Sequence, residues 1–409
     1  MLSQKTIDIV KSTAPVLEVK GQEITTAFYK LLFSNHPELL NIFNHANQSQ
    51  GRQQTALANT VYAAAKYIDQ LEVLVPAVKQ IAHKHRSLAI KPEHYPIVGK
   101  YLLEAIKEVL GEAATDEIIN AWAEAYGEIA NVFISVEKAM YTEAEEQEGG
   151  WVDFKDFIVD DKKVESSVIT SFYLKPKDGG KVARFTPGQY ITIQVSIPGE
   201  KYIMNRQYSL SDAPGKDYYR ISVKREAECN PIGKVSNFLH DDVNVGDTIK
   251  VSAPAGDFVL ESNPHAPITL IAGGVGVTPM ISMLKTLADQ KAENTVTFIQ
   301  AAKNSEMHAF MDEVSEACSK LGDATAYFGY DDDDDSSAGD FQGYIEKSFL
   351  RQAVPSSDSI CYVCGPAKFM ESIIRQLKEI GISEDRIHYE FFGPAMTLNT
   401  EPVETGANN

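Results

Sequence analysis

The segment IAHKHRSLAIKPEHY, residues 81–95, places three histidines and a tyrosine within fifteen positions. Imidazole is both a common metal ligand and a base near neutral pH. Spacing decides which ring could act. LVPAVKQIAHKHRSL, residues 74–88, predicts a helix, in which successive residues turn by about 100°. His83 and His85 then point nearly opposite ways. His85 aligns with Val78, Ile81 and Leu88, an apolar face, and His83 with Lys79, Gln80 and Arg86, a polar one. His83 is therefore expected at the surface. His85 is either a ligand or a satisfied core histidine. Tyr95 falls on the apolar side of the next helix, in line with Val98 and Leu102, and Glu137 sits at the edge of the Phe133–Val136 stripe. That carboxylate is either solvated or buried with a partner. A ligating imidazole wants an acceptor on its other ring nitrogen, often a carboxylate. His85, Tyr95 and Glu137 could form such a relay.

Phosphate chemistry is suggested elsewhere. In GGVGVTPM, residues 273–280, a glycine turn follows the strand-like ITLIA and precedes a helix. Gly273, Gly274 and Gly276 would let phosphates approach the backbone along Val275, Val277 and Thr278. Pro279 is expected as the first helical residue. A tight strand–helix turn would use the same glycines. In GKVSNFL, residues 233–239, Gly233, Val235 and Ser236 open a helix whose free N–H groups suit an anion. Cys361 and Cys364 form a C-x-x-C without further ligands at close spacing, so zinc is not expected.

The elements that must position these residues fall into three stretches. Residues 1–148 carry a helical period, as in Ile118, Trp122, Tyr126, Ile129, Phe133, Val136 and Met140. After EEQEGGWVDF the period becomes two, in GQYITIQVSI and YYRISVKRE, which predicts an antiparallel barrel over 149–262. Residues 263–409 alternate strand and helix, a parallel α/β unit. The apolar stretch 266–284 has transmembrane length, but its central glycines and Pro279 favour a buried strand, turn and helix. The run Asp331–Asp335 reads as a solvated loop. A net charge of −19 argues against nucleic acid and anionic membranes. Four sparse cysteines and a charged N-terminus without a signal-like apolar core point to a reducing, cytoplasmic setting.

A helical N-terminal region with Pro37, Phe43, His85 and Trp122 in this order resembles a globin. With KHRSLAIKPEHYPIVG, RQYSLS, GGVGVTPM, YVCGPAKFM and EFFGP, the chain resembles the flavohaemoglobins, the nitric oxide dioxygenases, almost end to end. The resemblance implies haem b, with iron on His85 and Phe43 packed on the ring. Tyr29 and Gln53 would be the distal pair, and Tyr95 and Glu137 the proximal relay. It implies FAD held by Tyr190, Arg206, Gln207, Tyr208, Ser209, Gly233, Val235 and Ser236, with Phe392 covering the flavin and Glu390 close by. NADH or NADPH would use Gly273–Pro279 and Cys364, Gly365 and Pro366. Lys84 could assist electron transfer, although a solvated lysine is the plainer expectation. The implied reaction converts NO and O2 to nitrate, electrons passing from NAD(P)H through FAD to haem. A monomer without a membrane span is expected. Two rivals stay open: a flavin reductase without haem, and an oxygen or NO sensor.

Overall fold

The computed structural model describes residues 2–263, 265–331 and 339–393. Most of the Asp331–Asp335 run, Pro394 and the tail lie outside them. The N-terminal region is helical: α1 Gln4–Ser12, α2 Ala14–Asn35, α3 His45–Ser49, α4 Arg52–Lys66, α5 Val75–Ser87, α6 His94–Leu110 and α7 Asp116–Glu146. Ser3 and Thr115 cap α1 and α7 by accepting from the N–H groups of Thr6 and Ile118. The apolar stripes meet in a core that includes Ile24, Phe28, Leu32, Leu102, Ile106 and Trp122. A smaller cluster of Val78, Tyr95, Ala130 and Phe133 joins α5, α6 and α7.

The second region holds β1 Phe154–Val164, β2 Ile169–Pro176, β3 Tyr190–Val195, β4 Met204–Ser209, β5 Tyr219–Lys224, α8 Lys234–Asp241 and β6 Thr248–Ser252. The antiparallel order is β4-β3-β6-β1-β2-β5, and a Leu210–Ile221 bridge joins the two edges. That bridge closes the sheet into a barrel around Phe157, Phe172, Ile191, Ile193 and Val251.

The third region is a parallel sheet of β7 Ile268–Gly273, β8 Val296–Ala302, β9 Ala324–Tyr330, β10 Phe341–Gln342, β11 Ile360–Cys364 and β12 Ile387–Glu390, in the order β10-β9-β8-β7-β11-β12. Helices α9 Val277–Gln290 and α10 Met311–Ser319 cover one face, and α11 Lys347–Ala353 and α12 Ala367–Glu379 the other. The chain changes direction between β7 and β11, where α/β sheets leave a crevice for ligands. The apolar 266–284 stretch is β7 and α9, and no described helix is long and apolar enough to cross a membrane. Pro279 is the third residue of α9 rather than its first, because a short 3-10 turn over Gly274–Gly276 hands over to the helix at Val277. Cys361 and Cys364 leave β11 on opposite faces and belong to different cores.

Buried polar contacts join the regions. Arg220 on β5 is 2% exposed and holds both oxygens of Glu313 on α10, at 2.8 and 3.0 Å. Lys285 on α9 reaches Asp212 at 2.6 Å and Glu313 at 3.0 Å. The expected solvent face of α5 is instead an interface. Arg86 is buried and donates to the Pro254 carbonyl, and His83 accepts from the Gly256 N–H at 3.3 Å. A period of 3.6 separates apolar from polar faces. It does not say whether a polar face meets water or another domain.

Candidate active site

A cavity of about 320 Å³ runs between α2, α4, α5, α6 and α7. His85 lines it from α5, with its Nδ1 held at 2.7 Å from Glu137 Oε1. Glu137 is 2% exposed, so it is not a solvated helix-face charge. Tyr95 donates its hydroxyl to the same carboxylate oxygen at 2.5 Å and lies 3.2 Å from His85 Nδ1. Burial, then the Glu137 charge, raises the Tyr95 phenol well above its ordinary pKa. The carboxylate therefore accepts two hydrogen bonds and fixes the proton of the imidazole on Nδ1. Nε2, with its lone pair, has no hydrogen-bond partner among the described residues.

Across the cavity stands Tyr29 on α2, 5% exposed, with ring centroid 5.7 Å from that of Phe43. Burial raises its phenol above the ordinary range, while the amides of Gln53 and Gln48 favour the phenolate. Gln48 has no foothold in the sequence reading. Its Oε1 accepts from Gln54 Nε2 at 3.2 Å, which turns its buried Nε2 away from Gln54. Leu57, Val98, Leu102, Trp122 and Phe133 supply apolar walls.

The cavity also touches the barrel and the C-terminal segment. Asn205, Gln207 and Gly393 line it. Lys84 is not simply solvated: its Nζ donates to the Gly393 carbonyl at 2.6 Å. Gln80, placed on the polar face by periodicity, lines the cavity as well. Glu390 ends β12, and burial pushes its carboxyl up to about 7, with Lys84 opposing and Asp257 adding.

On β3 and β4, Tyr190 is 7% exposed, and its buried hydroxyl faces Ser87. Desolvation lowers the Arg206 guanidinium pKa, and its described bond is to the Asn205 carbonyl at 2.8 Å, with no carboxylate beside it among the described residues. A half-buried cation without a carboxylate fits an anionic ligand. Ser209 is buried, and Tyr208 packs on the barrel core. Gly233 is the N-cap of α8, and no side chain caps that end. The Val235 side chain is core, 1% exposed, so only its backbone can face a ligand, and the Ser236 hydroxyl donates to the Gly233 carbonyl at 3.0 Å.

The two nucleotide motifs meet at the crevice. A Cβ at Gly276 would run into the Cys364 carbonyl, and one at Gly365 would stand 3.2 Å from the Gly273 backbone. Gly276 is thus required by packing. Gly274, at φ +54° and with open space around it, is the glycine whose freedom the turn uses. Ala272, Cys364 and Glu390 are in register across β7, β11 and β12. Cys364 is fully buried, its thiol pKa raised by burial, while Pro366 and Phe392 are exposed. Phe391 packs on the α/β core.

Three family models match in order: a globin over residues 26–133, an oxidoreductase FAD-binding domain over 156–260 and an oxidoreductase NAD-binding domain over 270–375. A flavohemoprotein of Bacillus thuringiensis is 58% identical over 403 residues, which is 97% of this chain and 100% of that protein. The chain belongs to the flavohaemoprotein family. The Bacillus subtilis flavohemoprotein is 52% identical over 97% of the chain. A Malassezia yamatoensis flavohemoglobin crystal structure with bound FAD and heme superposes with a TM-score of 0.86 at 29% identity, covering 96% of this chain and all of that one. The flavohaem-like FAD/NAD-binding domain of a Vibrio cholerae nitric oxide dioxygenase is 42% identical over 59% of the chain, with a TM-score of 0.55.

As a flavohaemoprotein the chain is an oxidoreductase, its cofactors haem, FAD and a nicotinamide nucleotide. The site fits each of them. His85 could offer Nε2 to iron, Arg206 could meet an anionic group, and Gly273–Gly276 lies at the switch point.

Proposed function

We propose that this flavohaemoprotein is a nitric oxide dioxygenase that converts NO and O2 to nitrate at the expense of NAD(P)H. One observation carries the reading: a single cavity has a carboxylate-anchored imidazole on one side, a buried phenol on the other, and a wall supplied by the flavin barrel. A plain flavin reductase has no use for the first two, and a sensor has no use for the third. The division at about residues 148 and 262, and the roles below, belong to the same proposal.

When bound, haem supplies the iron that activates dioxygen, and FAD turns a hydride's electron pair into single electrons. The residues do the rest. Glu137 and Tyr95 hold His85 Nδ1–H, which orients the ring and raises the donor strength of Nε2. Tyr29, kept protonated by burial, donates its hydroxyl to an oxygen ligand, with Gln53 steadying it. Phe43 would pack against the haem. Arg206 and the α8 N-terminus would meet the FAD pyrophosphate, and Tyr208, Ser209 and Phe392 the isoalloxazine. Gly273–Pro279 and Cys364–Pro366 would hold the nicotinamide nucleotide. Four free thiols suit a reducing, cytoplasmic setting.

The test is NO consumption by the purified, haem- and FAD-loaded chain. Nitrate should appear in step with NO lost, and only with both O2 and NAD(P)H present. NO loss that persists without O2 would overturn the dioxygenase reading.

A further inference from the structure

Strand β4 is a wall with two working faces. Side chains alternate along a strand, and here Asn205 and Gln207 line the cavity of His85. Arg206 and Tyr208, in the flavin motif, leave from the other face. Motif matching groups Gln207 with the flavin ligands. The structure turns its side chain toward the globin instead.

Two tethers press this strand against the cavity. Asn205 Nδ2 donates to the carbonyls of Asn41 and Ile42, at 2.8 and 2.9 Å, just before Phe43. Gln207 Nε2 donates to Ser87 Oγ at 2.9 Å, two residues beyond His85. Ser87 is fully buried and donates its own proton to the Lys84 carbonyl at 2.9 Å. Its lone pairs face the Gln207 amide and the Tyr190 hydroxyl. The strand that carries the flavin motif is thus pinned to the helix that carries the axial imidazole through one hydroxyl.

We propose that Ser87 is a positioning residue for electron transfer from flavin to haem, acting through Gln207. This rests on the functional reading above. Electronic coupling weakens steeply as a gap opens, so a wall one strand thick serves only while it is held in place, and a site left about 1 Å loose by its supports loses function. The Ser87–Gln207 bond fixes the cavity-wall side chain of this strand that is tied to the helix of His85.

The experiment compares the holoprotein with Ser87→Ala and Ser87→Thr. Anaerobic stopped-flow mixing with NADH under carbon monoxide resolves flavin reduction from the later ferrous–CO signal, and potentiometry gives both midpoint potentials. In Ser87→Ala the haem step should slow several-fold, with flavin reduction and both potentials unchanged. Ser87→Thr, which restores the hydroxyl, should recover most of the rate. An unchanged haem step in Ser87→Ala, or loss of flavin reduction alongside it, or failure of threonine to rescue, would overturn the assignment. The functional reading fails separately: the unsubstituted protein would then show flavin reduction but no ferrous–CO signal.

Discussion

At the residue scale, the proximal relay makes a separable demand. His85→Ala should abolish haem retention, seen as loss of the Soret band, while NADH-to-dye reduction stays within about two-fold, because Arg206, Tyr208 and the nucleotide loop are untouched. Tyr29→Phe removes one charge-assisted donor to bound oxygen, which should speed O2 dissociation by about ten-fold or more, since such bonds are worth about 1.5–3 kcal/mol. Flash-photolysis or stopped-flow dissociation rates check this. His308 offers a pH prediction away from the cavity. It is 7% exposed, bonds Tyr330 at 2.7 Å, and burial lowers its pKa to about 4. Between that value and the ordinary 6.5 the unfolded chain binds the extra proton, so stability present above pH 6.5 is lost as pH falls toward 4. His308→Gln should flatten that slope, by up to about 3 kcal/mol across the window, in urea titrations at stepped pH.

At the element scale, some residues were legible from spacing and others were not. His85, Tyr95 and Leu102 follow helical periodicity, and the relay could be sketched from them, although only the burial of Glu137 in the fold chooses between solvent and partner. The order barrel-then-α/β followed from a change of period. What periodicity could not supply is which polar face meets another domain. Arg86, His83 and Lys84 all looked solvated, because the contacts that cover them come from residues far along the chain, namely Pro254, Gly256 and Gly393. Ser87 and Gln207, 120 positions apart, could not be paired by any local signal. Gln48 escaped for a different reason: a glutamine in a short helix has no pattern until its neighbour is seen to be Tyr29. The clamp of Arg220, Asp212, Lys285 and Glu313 is of the same long-range kind. Burial alone would raise the Glu313 carboxyl, but Arg220 and then Lys285 hold it at about 2. Glu313→Ala strands a buried guanidinium and should cost about 2–4 kcal/mol of unfolding free energy. Glu313→Gln, which keeps part of the hydrogen bonding, should cost less, and denaturant midpoints at constant slope would show the difference.

At the scale of the whole molecule, apolar and polar contacts together join the regions: Ile169 and Phe258 of the barrel belong to the α/β core, and Ala144 near the end of α7 belongs to the barrel core. Ion pairs tie the barrel to the α/β unit, and backbone carbonyls of the barrel and C-terminal segment receive Arg86 and Lys84 from the globin. The polar contacts orient the regions against one another, and this suits a chain that carries haem, FAD and a nicotinamide nucleotide. The tethers at Asn205 and Gln207 carry a kinetic corollary. Donor and acceptor of electrons are held on one chain, so their encounter is unimolecular and does not obey mass action. Turnover per molecule should be the same at nanomolar and micromolar protein, whereas a haem protein served by a separate reductase would slow in proportion to dilution. In a cell this makes electron delivery as fast for a few copies as for many, and turnover capacity rises linearly with copy number from the first molecule made.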